Sequence, residues 1–162
     1  MLTDLLLRSA SGRIINVSSE AHRLGQLNLD LPASPEKYSS FTAYCDSKLA
    51  NILFTYELSR RMELTEITVN CLHPGVIASN FGKTAFGITK WFFRLTRPFM
   101  KSAKQGATTI VYLATSPDVA EITGKYFINR KAVKSAKETY STHLARRLWQ
   151  FSEDQTGLVS EG

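Results

Sequence analysis

"GRIINVSS", residues 12–19, is the stretch whose reading decides the fold. Residues 13–19 form a short β-branched run bounded by polar residues, the pattern of a buried parallel strand. Ser18 and Ser19 close it, at the carboxyl end, where ligands lie in open α/β sheets. A helical pattern follows from about residue 42 to residue 62, with Leu49, Ile52, Leu53, Tyr56 and the stem of Arg60 at turn-like spacings. "ITVNCLHPG", residues 67–75, returns to strand character and stops at Pro74-Gly75.

Working outward, residues 1–9 read as the end of a helix with Leu2, Leu5 and Leu6 on one face, and Ser11-Gly12 supplies a turn. Residues 20–40, holding Gly25, Pro32 and Pro35, read as a long irregular connection. A further helix is expected from Ala103 to Thr115, and "GKYFINRK" from Gly124 as a third strand. Strands alternating with helices of this length need crossover connections, which favour a parallel sheet covered by helices and hence the α/β class. Three strands are few for 162 residues in this class, so the pattern reads as part of a larger sheet.

The totals suit one domain, expected over residues 1–151, followed by a polar, frayed tail over 152–162. Hydrophobic content is 43% and charged content 21%, with no apolar run long enough to span a bilayer and no basic-then-apolar leader at the start. Cys45 and Cys71 lack the spacing of a metal site or a redox pair and read as reduced packing residues. His22, His73 and His143 are too scattered to suggest a metal cluster, and none is given a catalytic role. These features point to a cytoplasmic chain that binds no metal.

"FTAYCDSKLAN", residues 41–51, sets Tyr44 and Lys48 four apart, so that phenol and ammonium share a helix face. A free tyrosine titrates near ~10, and a neighbouring cation favours the phenolate, which would bring the phenol into acid/base use. Alone the pair is weak, since Tyr56 with Arg60 and Tyr126 with Arg130 repeat the spacing. The serine pair at a strand end separates Tyr44 from them. If Ser19 holds a carbonyl or alcohol oxygen while Tyr44 moves its proton, the arrangement suits hydride transfer at carbon.

Taken in order, "GRIINVSS", "AYCDSK" and "HPGVIASN" resemble the short-chain dehydrogenase/reductase family, and "YCDSKLAN" with "ARRLW" near the end resembles its retinol-dehydrogenase-like branch. The resemblance runs along nearly the whole chain. It implies a Rossmann-like doubly wound parallel sheet, of which these residues form the carboxyl-terminal part, with about three strands and flanking helices. It implies Ser19, Tyr44 and Lys48 as the catalytic residues, with Lys48 also touching the nicotinamide ribose. Tyr44, Lys48, Pro74, Gly75, Val76, Ile77 and Ser79 would bind the cofactor, which is NADP or NAD, with NADP favoured by the resemblance.

The family begins with a glycine-rich turn that cradles the dinucleotide pyrophosphate. The nine glycines here include no such motif, and the family's Asn-Ala-Gly stretch and tetrad asparagine are also absent. The amino-terminal half of the pattern is therefore expected to be missing, and the chain to turn over little or not at all. A competing reading is a non-catalytic remnant that acts as an interaction module, pairing an exposed strand edge with another chain.

Residues 81–104 carry six cations, no acid and six interleaved aromatics. By resemblance they form the substrate lid, whose apolar side chains suit a lipophilic alcohol, aldehyde or ketone. The same composition suits a helix resting on an anionic membrane surface, and a partner subunit, including a second copy, could cover the aromatic face. No nucleic-acid-binding motif accompanies the charge, so nucleic acid is not an expected partner.

Overall fold

The computed structural model describes residues 2–9, 11–30, 38–75 and 102–158. In chain order its elements are α1 (Leu2–Leu7), β1 (Arg13–Val17), α2 (Ser40–Arg61), β2 (Thr68–His73), α3 (Ala103–Thr115), β3 (Tyr126–Ile128), β4 (Lys131–Val133) and α4 (Thr142–Thr156). Short 3₁₀ turns occupy Glu20–Leu24, Pro117–Val119 and Lys137–Tyr140.

The four strands lie in the order β1-β2-β3-β4. β1 and β3 both run parallel to β2, with Val17 opposite Leu72 and Leu72 opposite Phe127, and each parallel connection contains a helix. This is the α/β parallel arrangement expected from the alternating pattern. The third expected strand is in fact a hairpin. Asn129 and Arg130 both adopt positive φ, 50° and 64°, and this two-residue turn folds β4 back antiparallel to β3. β1 is half-buried rather than fully buried, because among the described residues it pairs with β2 alone.

Side-chain alternation along the strands divides the core into two faces. Leu72 and Phe127 point to α3, where Leu113, Val119 and the partly buried Ile15 and Ile110 complete an apolar cluster. Cys71 and Tyr126 point the other way, onto Ile52 and Tyr56 of α2. Val69 does the same beside Leu58 and Ile67. Burial pushes the Cys71 thiol up to about 12, and both cysteines are free and buried, as their spacing indicated.

The helix limits follow from their caps. Ser102 and Gln105 form a reciprocal capping box that starts α3 at Ala103. Arg13 closes the other end of α3, donating to the carbonyls of Leu113 (3.0 Å) and Ser116 (2.8 Å), a cation placed where the helix dipole favours one. α4 begins at a Ser141 cap and ends at Gly157, whose φ of 65° is the left-handed conformation that glycine adopts freely. The expected boundary between residues 151 and 152 therefore falls inside a helix. Residues 152–156 are held by bonds one turn back, such as Ser152 Oγ to Leu148 O at 2.7 Å.

α4 packs on α2 through Leu49, Leu53, Ala145 and Leu148. Trp149 stacks on Phe54 with ring centroids 5.2 Å apart, and the Arg61 guanidinium lies 4.2 Å from the Trp149 ring. Arg61 and Arg60 both bond the buried Glu57 carboxylate, whose charge is thereby compensated. The "ARRLW" stretch thus holds α4 to the helix that carries Tyr44.

The connection after β1 is seated tightly on α2. A Cβ on Gly25 would stand 2.7 Å from the Cys45 carbonyl oxygen and 2.9 Å from Leu49 Cβ. Beside it, His22 is wholly buried, its ring edge-on to Tyr126 at 5.0 Å. Its Nε2 accepts from the Ala136 N–H at 3.0 Å, so the ring proton sits on Nδ1, 2.6 Å from the Ser19 carbonyl oxygen. Burial holds the His22 pKa below its ordinary value, against the Ser19 carbonyl, which favours the charged form.

Two outcomes are expected. Gly25→Ala forces Cys45 or the connection to shift and lowers stability by about 1–3 kcal/mol, read as a lower urea midpoint at unchanged slope. The His22 ring faces Glu20 and Arg23 on its own turn and Tyr126 on β3. Its folded pKa is depressed, so its stabilising effect is complete above the unfolded value of about 6.5 and is lost as pH falls from there towards the folded pKa. Glu20 is also depressed and acts with the same sign, but below its own unfolded value of about 4.3. Urea midpoints measured between about pH 8 and pH 5 should decline below about 6.5, and His22→Gln should flatten that decline.

Candidate active site

Because β1 and β2 are parallel and in register, both strands release the chain at the same edge of the sheet. Ser18 continues the ladder there, its N–H donating to the Leu72 carbonyl at 2.8 Å, beside the His73-Pro74-Gly75 exit of β2. Gly75 has φ of 92°, a left-handed conformation that lets the chain turn sharply as it leaves the strand. The expected cofactor residues Val76, Ile77 and Ser79 lie outside the described residues, as does the basic aromatic stretch up to residue 101.

Helix α2 is clasped to this edge by three side-chain bonds. Ser18, 2% exposed, donates its hydroxyl to the Lys48 carbonyl at 2.8 Å. Asn51 Nδ2 donates to the Val17 carbonyl at 3.1 Å. Asn16 Nδ2 donates to Thr55 Oγ1 at 2.9 Å, and that hydroxyl donates back to the Asn51 carbonyl at 2.7 Å. Positions 48, 51 and 55 lie on one face of the helix, so three successive strand residues meet three rungs of it.

Tyr44 and Lys48 are therefore carried to the strand ends on which Ser19 stands. Both are half-buried, and the Lys48 ammonium lies 5.4 Å from the centre of the Tyr44 ring, within cation–π range. The helical spacing thus brings the two side chains together, as expected. Ser19 caps the 3₁₀ turn that follows, its Oγ accepting from the Ala21 N–H at 3.2 Å. The bland reading of a Ser-Ser pair, a cap, is correct for Ser19. Accepting there leaves the hydroxyl proton available for donation, and a donor into Oγ strengthens that proton as a hydrogen-bond donor.

Charged groups flank the Ser19 turn. Glu20 accepts from Tyr126 Oη at 2.8 Å and from Arg23 Nε at 3.0 Å. Burial alone would raise the Glu20 pKa, but the bonds from Arg23 and Tyr126 outweigh it and hold the carboxyl below its ordinary value. Tyr126 is pushed well above the ordinary phenol range, first by burial and then by that same carboxylate.

Two hollows lie elsewhere. One of about 400 Å³ is lined by Met62, Ile67, Thr68 and Thr123 near the start of β2, and one of about 760 Å³ by Arg23, Gly25, Asn28 and Glu138. Neither is lined by Ser19, Tyr44 or Lys48. The strand ends, not these hollows, bring together residues able to hold an oxygen and move a proton. Among the described residues no cluster of three potential metal ligands occurs, and no helix is long and apolar enough to cross a membrane.

Sequence reasoning missed Ser18, Asn51 and Thr55 as the clasp and His22 as the support of the Ser19 turn. Asn51 and Thr55 sit four apart on the face that carries Lys48, a signal open to reading. His22 carried none, because its partner Ala136 is 114 residues away.

The comparisons with known proteins agree with this fold. Residues 1–87 match the short chain dehydrogenase family. Retinol dehydrogenase 14 of Homo sapiens is 39% identical over 98% of this chain and 48% of its own length. Retinol dehydrogenase 13 of Homo sapiens is 40% identical over 98% and 50%. The chain thus spans about half the length of the curated relatives it matches. Among solved structures, an uncharacterized protein from Mycobacterium paratuberculosis superposes with a TM-score of 0.69 at 30% identity, over 96% of this chain and 54% of that one. These likenesses, on a parallel sheet with crossover helices, identify the chain as a member of the short-chain dehydrogenase family, with a Rossmann-like fold and a retinol-dehydrogenase-like sequence.

Proposed function

We propose that this chain carries the catalytic residues of an NAD(P)-dependent oxidoreductase that interconverts a lipophilic alcohol and its aldehyde or ketone. The observation that supports this reading is the Tyr44–Lys48 contact on a helix fastened to the strand end that Ser19 follows. The lipophilic substrate is argued from the relatives named retinol dehydrogenases and from the aromatic content of residues 81–104.

In reduction, Ser19 Oγ–H donates to the substrate carbonyl oxygen and holds it. Tyr44 gives its phenolic proton to the same oxygen as negative charge develops there, forming the alcohol O–H bond and leaving a phenolate beside the Lys48 ammonium. Oxidation reverses the transfer. A bound nicotinamide supplies or accepts the hydride at carbon. The residues present fit its ribose end: a lysine one turn from the tyrosine, and a left-handed turn at Gly75 where β2 leaves the sheet. By family resemblance Pro74, Val76, Ile77 and Ser79 would line the nicotinamide. The nine glycines contain no pyrophosphate-cradling turn, which argues for weak cofactor binding by this chain and little turnover.

A second reading is favoured by one observation. β1 pairs with β2 alone among the described residues, and Val17 at its end is 43% exposed, as befits an interaction module that adds a partner strand.

Calorimetric titration with NADPH and NADH, followed by reduction of a retinoid or long-chain aldehyde, tests the first reading. Binding with turnover that Tyr44→Phe lowers by about 10²–10⁴-fold is expected of the enzyme. Heatless titrations with both cofactors would leave the interaction module. Separately, Lys48→Met should weaken cofactor binding and turnover together, whereas a Lys48 of purely structural value would alter only the urea midpoint.

A further inference from the structure

We propose that His22 is a positioning residue, whose neutral Nδ1–H imidazole ties the Ser19 peptide to Ala136 and thereby sets where the Ser19 hydroxyl stands relative to Tyr44. The inference rests on the reading of Ser19 as the group that holds the substrate oxygen.

The ring is wholly buried and both nitrogens are engaged, so it touches no substrate. What it does is join two distant pieces of backbone. The Ser19 carbonyl accepts twice from the same residue, from the His22 N–H at 3.1 Å and from Nδ1–H at 2.6 Å. On the far side, Nε2 accepts from Ala136 N–H. The Ala136 segment is itself fastened to α2: Tyr56 Oη and Ser135 Oγ are 2.8 Å apart, Ser135 Oγ meets Thr139 Oγ1 at 2.7 Å, and Thr139 donates to the Ala136 carbonyl at 2.6 Å.

A closed circuit results. Going one way, α2 holds the strand end through Lys48 and Ser18. Going the other, α2 holds the turn through Tyr56, Ser135, Ala136 and His22. Ser19 lies between the two attachments, and Tyr44 is on the same helix as both. Glu20 with Tyr126 and Arg23 with the Lys134 carbonyl hold the rest of the turn, but among the described residues only the bonds of His22 reach the Ser19 carbonyl from beyond the strand. A rigid ring with a donor and an acceptor on opposite flanks makes both bonds with fewer side-chain torsions to fix than a glutamine in its place.

The test uses the whole 162-residue chain as wild type, His22→Gln and Ser19→Ala. Long-range ¹⁵N–¹H spectra of the wild-type imidazole should report a neutral ring protonated at Nδ1 at neutral pH; an Nε2–H tautomer or an imidazolium overturns the proposal without any variant having to fold. Amide exchange in His22→Gln should quicken about 10-fold at Ala136 and at Ala21, which bonds Ser19 Oγ, while Val69 and Cys71 in β2 keep their rates. Uniform acceleration across the sheet, or an unchanged Ala21, overturns it. In turnover, His22→Gln should lower kcat while the cofactor KM stays put, and adding it to Ser19→Ala should cost nothing further; additive losses overturn the coupling. If wild type turns over too slowly to measure, as the missing pyrophosphate-cradling turn leads one to expect, the spectra and exchange rates alone decide whether His22 anchors Ser19.

Discussion

A buried serine hydroxyl at the end of one strand, bonded to a carbonyl in the middle of one helix, is the constraint on which the arrangement of the site depends. Ser18 bonds the peptide oxygen of Lys48, which has a second lone pair to offer beyond the helical ladder. The net stabilisation from such a bond is modest, about 1 kcal/mol. Its importance is positional. Apolar contacts between α2 and the sheet are non-directional and would tolerate sliding, whereas a hydroxyl with one buried acceptor has a single register. Asn51 repeats the fixing one strand residue earlier and one turn later, at Val17, and Asn16 two residues earlier and two turns later, at Thr55.

The two faces of the sheet therefore play different parts. On the α3 side, Leu72, Leu113, Val119 and Phe127 form an apolar cluster that supplies burial. On the α2 side, burial is interleaved with polar attachments: Asn16 to Thr55, Ser18 to Lys48, Tyr56 to Ser135, and His22 to Ala136. A network of this kind helps specify one arrangement only when its members are satisfied, since each orphaned group in a low-dielectric interior is costly. Parallel strands add the other ingredient, delivering the ends of β1 and β2 to one edge where side chains from three segments can meet.

The likeness to retinol dehydrogenases and the geometry reinforce each other at different levels. Relatives at 39–40% identity that this chain spans for about half their length establish descent and fold. They leave open which side chains fasten the helix and the turn to the sheet, and the structure supplies these as the Ser18 clasp and the His22 bonds. A chain with Tyr44 and Lys48 in the same order but without those attachments would hold the two side chains loosely relative to the sheet.

Much of the fold was legible because local periodicity carries it. The limits of α3 follow from Ser102 and the 3.6-residue pattern, the Tyr44–Lys48 face from four-residue spacing, and the alternation of strand and helix from crossover geometry. The hairpin at Asn129-Arg130 was read as one strand because arginine is a poor signal for positive φ, and the end of α4 was read as tail because its residues are polar on every side. What the residues alone determined, then, is which groups share a helix face or a strand end. Tertiary structure decided which of them are fastened: that Ser18 is the clasp and Ser19 the cap of the next turn, and that His22 closes on a backbone amide 114 residues away. The physical reason is that a hydrogen bond between distant segments has no period, and its partner exists only once the sheet has brought the two segments together.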